Sequence, residues 1–320
     1  MCDLYSQIDR VLPHAIAPGD KVAVVAPAGR VDRNALDYGI AALENKGLRV
    51  WLGPHILDIY GHLAGTDADR AADLMAAFLN PEIKAVFCAR GGSGSARILK
   101  HLDLMAISHH PKVFVGYSDV TVLHLAIQHA AGWPTFYGPM VASDLATCSS
   151  DTCFQALWRL ISNPEPYETL NSAALGVTII PGVVDGVLTG GTLCLVDSSI
   201  GTSYAARPGP GIMALEDTGE PLWRVDRMLT HLGHAGLLQS ANGFLIGNLA
   251  DTNDPDDTNQ ELTIDQIIND HLGGLGKPVI TGFPFGHIES PLTLPLNCRV
   301  RMDATSRTVT ILEPAVRNYS

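Results

Sequence analysis

The segment Val113-Phe114-Val115-Gly116-Tyr117-Ser118-Asp119-Val120 runs from a β-like apolar stretch through a Gly-x-Ser turn straight into a helix-like stretch. Strands that pass directly into helices build parallel sheets with helices on both faces. The same turn lifts a serine hydroxyl out of the backbone at the head of a helix, where it can act as a nucleophile. The alternation extends through residues 1–140. Lys21 to Ala28 reads as a strand, and Leu36, Ile40 and Leu43 then recur at helical spacing before a stop at Gly47. Leu48 to Leu52 is a second strand. Asp67 to Leu79 is a helix with Asp67 and Asp69 at its favourable end. Ala85 to Ala89, Val113 to Tyr117 and Thr135 to Tyr137 supply further strands, and Val120 to His129 a further helix.

The expected architecture is therefore α/β: an N-terminal Rossmann-like parallel-sheet domain over 1–140, a linker over 141–180, and a mixed α/β domain over 181–320. In the last part, strands are expected around Val183 to Leu188, Gly211 to Leu215 and Phe244 to Leu249, and a hairpin from Val300 to Leu312. The stretch Leu222 to Leu232 places Val225, Met228, Leu229 and Leu232 on one helix face.

Composition narrows the function classes. The chain has 320 residues, 46% of them hydrophobic, and a net charge of -12. That supports a substantial core, and no basic stripe suits a nucleic-acid backbone. Apolar runs such as Val22 to Ala28 are broken far short of a membrane span. No secretory signal is visible, so a cytoplasmic protein is expected. The six cysteines, at 2, 88, 148, 153, 194 and 298, read as free thiols. Neither they nor the histidines show zinc spacing, and the acidic loop Asp251 to Asp257 lacks the calcium-loop glycine, so neither metal nor cofactor is expected.

Four segments can carry chemistry. Ser118-Asp119 taken alone is ordinary helix capping, and Val120 stands where a hydrolase elbow has glycine. Arg90-Gly91-Gly92-Ser93-Gly94 follows a strand at the same sheet edge, where glycine amides can hold an anion. Amides of Asp119 and of the Gly91-Gly92 loop can together form an oxyanion hole. Leu215-Glu216-Asp217 brings two acids to the end of a strand, suited to orienting a histidine but equally to a solvated turn. Phe283-Pro284-Phe285-Gly286-His287 places a histidine after a kinked apolar stretch.

These segments, with Tyr137-Gly138-Pro139-Met140 and Arg224-Val225-Asp226-Arg227-Met228-Leu229, fall in the order seen in the LD-carboxypeptidase family, which also includes the microcin C self-immunity peptidases. The chain resembles that family from about residue 18 to about residue 313. The resemblance implies a triad of Ser118 as nucleophile, Glu216 as acid and His287 as base. It also implies a cleft between two domains, often a homodimer, and a serine carboxypeptidase that removes terminal D-Ala from murein tetrapeptide during peptidoglycan recycling. The alternatives are an immunity-type peptidase cleaving aminoacyl-nucleotide conjugates and a non-catalytic ligand-binding protein. Ser93, Tyr137 and Thr192 depart from the tyrosine, histidine or serine, and asparagine usual in the family. They are read as lining or supporting the cleft and so bear on substrate choice. Trp223 is a candidate purine shelf, with packing against the core as its ordinary reading.

Overall fold

A computed structural model describes residues 11–146, 152–165, 169–172, 176–250 and 262–318. Two sheets organise the chain. The first has six strands in the order β12-β5-β4-β3-β1-β2: β1 (Lys21–Val25), β2 (Arg49–Leu52), β3 (Ile83–Cys88), β4 (Val113–Gly116), β5 (Thr135–Tyr137) and β12 (Leu294–Leu296). β1 to β5 are mutually parallel, as the β-α rhythm requires. β12 comes from the far end of the chain and closes the edge antiparallel to β5, with Leu294 opposite Tyr137. The span 181–320, expected to form a separate domain, thus gives the first sheet one strand that was not expected.

The second sheet has eight strands in the order β6-β14-β13-β8-β9-β10-β11-β7. They are β6 (Thr169–Asn171), β7 (Val177–Ile180), β8 (Val183–Thr192), β9 (Gly211–Thr218), β10 (Gly243–Ala250), β11 (Val279–Thr281), β13 (Arg299–Asp303) and β14 (Thr308–Ile311). β8 to β11 run parallel, and the flanking strands antiparallel. β9 continues to Thr218, so Glu216 and Asp217 lie within the strand rather than in a turn after it.

Residues 141–180 hold more than a connection. The helix Thr152–Ser162 sends Phe154, Leu157, Leu160 and Ile161 into the first core, and β6 and β7 form the two edges of the second sheet.

Helix ends follow their sequence signals. Thr66 caps Asp67–Leu79 by accepting from the Asp69 amide, and the helix Leu222–His234 buries Val225, Met228, Leu229 and Leu232 as its spacing predicts. The helix Thr121–Ala131 is different. It is buried continuously from Thr121 to Ile127, because it lies between the two cores. Leu123 and Ile127 pack in one and Leu125 in the other. A helix apolar on every side is one enclosed on every side, and a short 3₁₀ turn from Ser118 to Val120 leads into this one. Cys88, Cys153, Cys194 and Cys298 lie outside any disulfide. Cys2, Cys148 and the Asp251–Asp257 loop lie outside the described residues. Among the described residues, no helix is long and apolar enough to cross a membrane.

Candidate active site

Ser118 follows β4 with φ 63°, a left-handed conformation uncommon for a residue with a Cβ. Such strain persists only where the surroundings enforce it. Here the turn runs directly from a buried strand into the enclosed helix. An ideal Cβ on Gly91 would lie 2.9 Å from Ser118 Cβ and 3.0 Å from its Oγ. Glycine at 91 therefore lets the loop after β3 approach the hydroxyl. The same virtual atom lies 3.5 Å from the Asp119 amide nitrogen, so that amide and the Gly91 backbone border one space beside Ser118.

The loop is held from two sides. The Asp119 carboxylate accepts from the Ser95 amide at 2.7 Å. Arg70, 1% exposed, donates to the Pro27 carbonyl and, at 3.0 Å, to that of Gly94. Gly91 is buried within the loop, whereas Gly92 and Ser93 are exposed.

His287 Nε2 lies 3.1 Å from Ser118 Oγ, and its Nδ1 lies 2.7 Å from Glu216 Oε2. The His287 backbone N–H also donates to that oxygen, at 3.0 Å. Residues separated by 169 and 71 positions thus form one hydrogen-bonded chain. Burial by itself lowers the basicity of His287. The hydrogen bond and charge of Glu216, with the charges of Asp217 and Asp144, outweigh it and hold the imidazole above its ordinary value. The Tyr117 ring stands edge-on to the imidazole at 5.0 Å, its hydroxyl donating to Asp144 at 2.9 Å.

Strand parity separates the two acids. Successive side chains of β9 point to opposite faces. Glu216, fully buried, turns to His287, while Asp217 accepts from the amides of Cys194 and Thr218, both at 2.8 Å. Burial pushes Asp217 up to about 6. Glu216 can sit under His287 because Gly286, at φ 84°, has no Cβ. An ideal one would fall 2.2 Å from Glu216 Oε2.

Of the two places expected for Tyr137 and Thr192, they take the supporting one rather than the lining one. They are 1% and 3% exposed and stand behind Glu216, donating to Oε1 at 2.5 and 2.9 Å. Trp223 is 48% exposed rather than packed in the core, with the Arg227 and Arg224 guanidinium carbons 4.9 and 5.7 Å from its ring centroid. Both arginines lie over the ring at cation–π distance, and about half of the side chain stays exposed. Arg70, Tyr117 and Asp144 were not singled out in the sequence. Only the i,i+3 spacing of Asp67 and Arg70 hinted at the buried ion pair between them.

Among the described residues, two clusters place ligand-type atoms within 4.8 Å of one another: His55, Asp58 and Asp69, and Cys194, Asp217 and Glu220. In the second, burial drives the Cys194 thiol far from ionisation and backbone amides already occupy Asp217, which suits a metal poorly.

Residues 22–138 match the LD-carboxypeptidase N-terminal domain and residues 185–302 its C-terminal domain. The chain belongs to the LD-carboxypeptidase family. It is a peptidase. A putative carboxypeptidase of Streptomyces coelicolor is 40% identical over 96% of this chain and 97% of its own length. A probable murein peptide carboxypeptidase of Bacillus subtilis is 34% identical over 93% of each. The fold is shared with a microcin C7 self-immunity protein, at a TM-score of 0.88 and 22% identity, over 96% of this chain and 99% of that one.

Proposed function

We propose that the protein is a serine carboxypeptidase that removes a terminal D-amino acid from a murein-derived peptide, with Ser118, His287 and Glu216 as its triad. The observation that carries this reading is the hydrogen-bonded chain from Ser118 Oγ through His287 to Glu216. In this mechanism His287 Nε2 takes the Ser118 proton as the oxygen attacks the scissile carbonyl. Glu216 holds the imidazole by Nδ1 and stabilises the imidazolium. The amides of Asp119 and of the Gly91-Gly92 loop receive the developing oxyanion; one such donor is worth about 10²–10³ in rate. His287 then protonates the leaving amine, and water releases the acyl-enzyme by the reverse transfers. The murein assignment is supported by the Bacillus subtilis relative, whose name gives that substrate. Cytoplasmic murein recycling by a homodimer is the setting that accompanies it.

A second reading, cleavage of an aminoacyl-nucleotide conjugate, draws on the exposed ring of Trp223 as a surface for a base. Mass spectrometry of products separates the two. Incubation with tetrapeptide is expected to release free alanine and tripeptide, with no turnover of an aminoacyl-sulfamoyl adenosine. The opposite result transfers the assignment to the nucleotide conjugate.

The pH profile follows from His287. A base must be neutral to act, and this one is held above its ordinary basicity. Turnover therefore falls as pH drops through that raised value, and the acid limb of kcat/KM is expected above the ordinary histidine range. Full activity well below that point would remove His287 from the role of base.

A further inference from the structure

Tyr137 lies where the two sheets meet. It stands on β5 beside β4, the strand that leads into Ser118, with Gly116 opposite Tyr137 in the register. Its oxygen reaches Glu216 and Thr192, which face each other across β8 and β9. The approach is close. The Thr192 amide donates to Thr121 Oγ1, at the start of the enclosed helix, at 3.1 Å. An ideal Cβ on Gly191 would lie 2.6 Å from that hydroxyl and 3.1 Å from Tyr137 Cε2.

A phenol has one proton and can still accept. Here the proton goes to Glu216 Oε1 at 2.5 Å, and the Ser118 backbone N–H points to the phenol oxygen at 3.3 Å. One oxygen thereby joins the main chain of the nucleophile to the carboxylate that holds the base. Burial, then the neighbouring Glu216, push the phenol well above its ordinary range, so it remains a donor. The Ser118 amide is engaged by this bond, which leaves the oxyanion to Asp119 and the Gly91-Gly92 loop.

We infer that Tyr137 is a positioning residue that ties the Ser118 backbone to Glu216 across the junction of the two sheets, keeping Ser118 Oγ and His287 Nε2 in reach of each other. The inference rests on the triad reading above. Two features give it content: Ser118 is held at positive φ, a conformation it leaves unless restrained, and Glu216, which holds its base, comes from the other sheet.

Tyr137→Phe tests it, since phenylalanine keeps the ring contacts with Tyr117, His124 and Phe285. Two rates are measured: peptide turnover, and second-order labelling of Ser118 by a fluorophosphonate, which reports the nucleophile without substrate. The loss of a hydrogen bond to a charged group is expected to lower kcat and labelling by about 10–100-fold, with KM unchanged within about threefold. Circular dichroism is expected to match wild type. Thr192→Val removes a hydroxyl that touches Glu216 but not Ser118, and is expected to cost less in both rates. Wild-type labelling by Tyr137→Phe, even with a lowered melting temperature, overturns the inference, as does a Thr192→Val loss equal to that of Tyr137→Phe. Persistent turnover by Ser118→Ala sinks the triad reading instead, so the two failures are distinct.

Discussion

Ser118→Ala is expected to lower kcat by about 10⁴–10⁶-fold and to abolish fluorophosphonate labelling, with little change in melting temperature. Alanine keeps the Cβ and therefore the same backbone strain at φ 63°. Only the oxygen 3.1 Å from His287 is lost. His287→Ala is expected to cost a similar factor, because a serine hydroxyl without a base is a weak nucleophile. The two losses do not multiply. Once either partner is gone the other has nothing to act with, so the double variant is expected to be no slower than either single variant. Product analysis by mass spectrometry, under single-turnover conditions for the slow variants, provides the comparison. Near-normal turnover in either single variant, or losses that multiply in the double, removes the pair from the mechanism.

Gly286→Ala is expected to approach the effect of losing the acid, about 10³–10⁴ in kcat, although residue 286 bears no functional group. The reason is spatial. A Cβ at this position falls 2.2 Å from Oε2 and 2.3 Å from Cδ of Glu216, which is fully buried and whose other oxygen is held by Tyr137 and Thr192. Either Glu216 or the His287 backbone has to move, and both bonds between them are then lost. Gly236 provides the control. It has φ 77°, close to the 84° of Gly286, but an ideal Cβ there meets nothing within 4 Å. Gly236→Ala is expected to cost about 1–2 kcal/mol from backbone strain alone, with kcat unchanged. Melting curves and kcat for the pair separate strain from collision. If Gly286→Ala keeps kcat within about tenfold of wild type, Glu216 is not holding His287 in the way the geometry suggests.

Much of the first sheet was readable from local pattern. Its strands are short apolar runs, and its helices show the 3.6-residue spacing. The Gly116-Tyr117-Ser118 turn belonged to the same local code. What escaped that code depended on partners far along the chain. β12 joins the first sheet only because the chain returns after β11, and nothing in Leu294-Pro295-Leu296 names β5 as its neighbour. Tyr137 and Thr192 read as lining or supporting the cleft because they depart from the residues usual in the family. Their hydroxyls compensate a carboxylate that burial has removed from water, a need visible only once Glu216 is known to be enclosed. Trp223 reads as a candidate purine shelf with core packing as its ordinary reading, and its exposure beside two arginines of its own helix is not visible in the sequence.

By itself the sequence determined the parallel α/β frame, the serine at a strand-to-helix turn, the glycine loop beside it, and a pair of acids and a histidine as candidate partners. These follow from periodicity and turn chemistry, which act over a few residues. Local pattern left Glu216 and Asp217 open and the family resemblance chose Glu216; only the tertiary structure brought that carboxylate against His287, held Ser118 left-handed, and set Tyr137 between Ser118 and Glu216. Those outcomes depend on how two sheets pack around one shared helix, and packing joins residues that no local pattern relates.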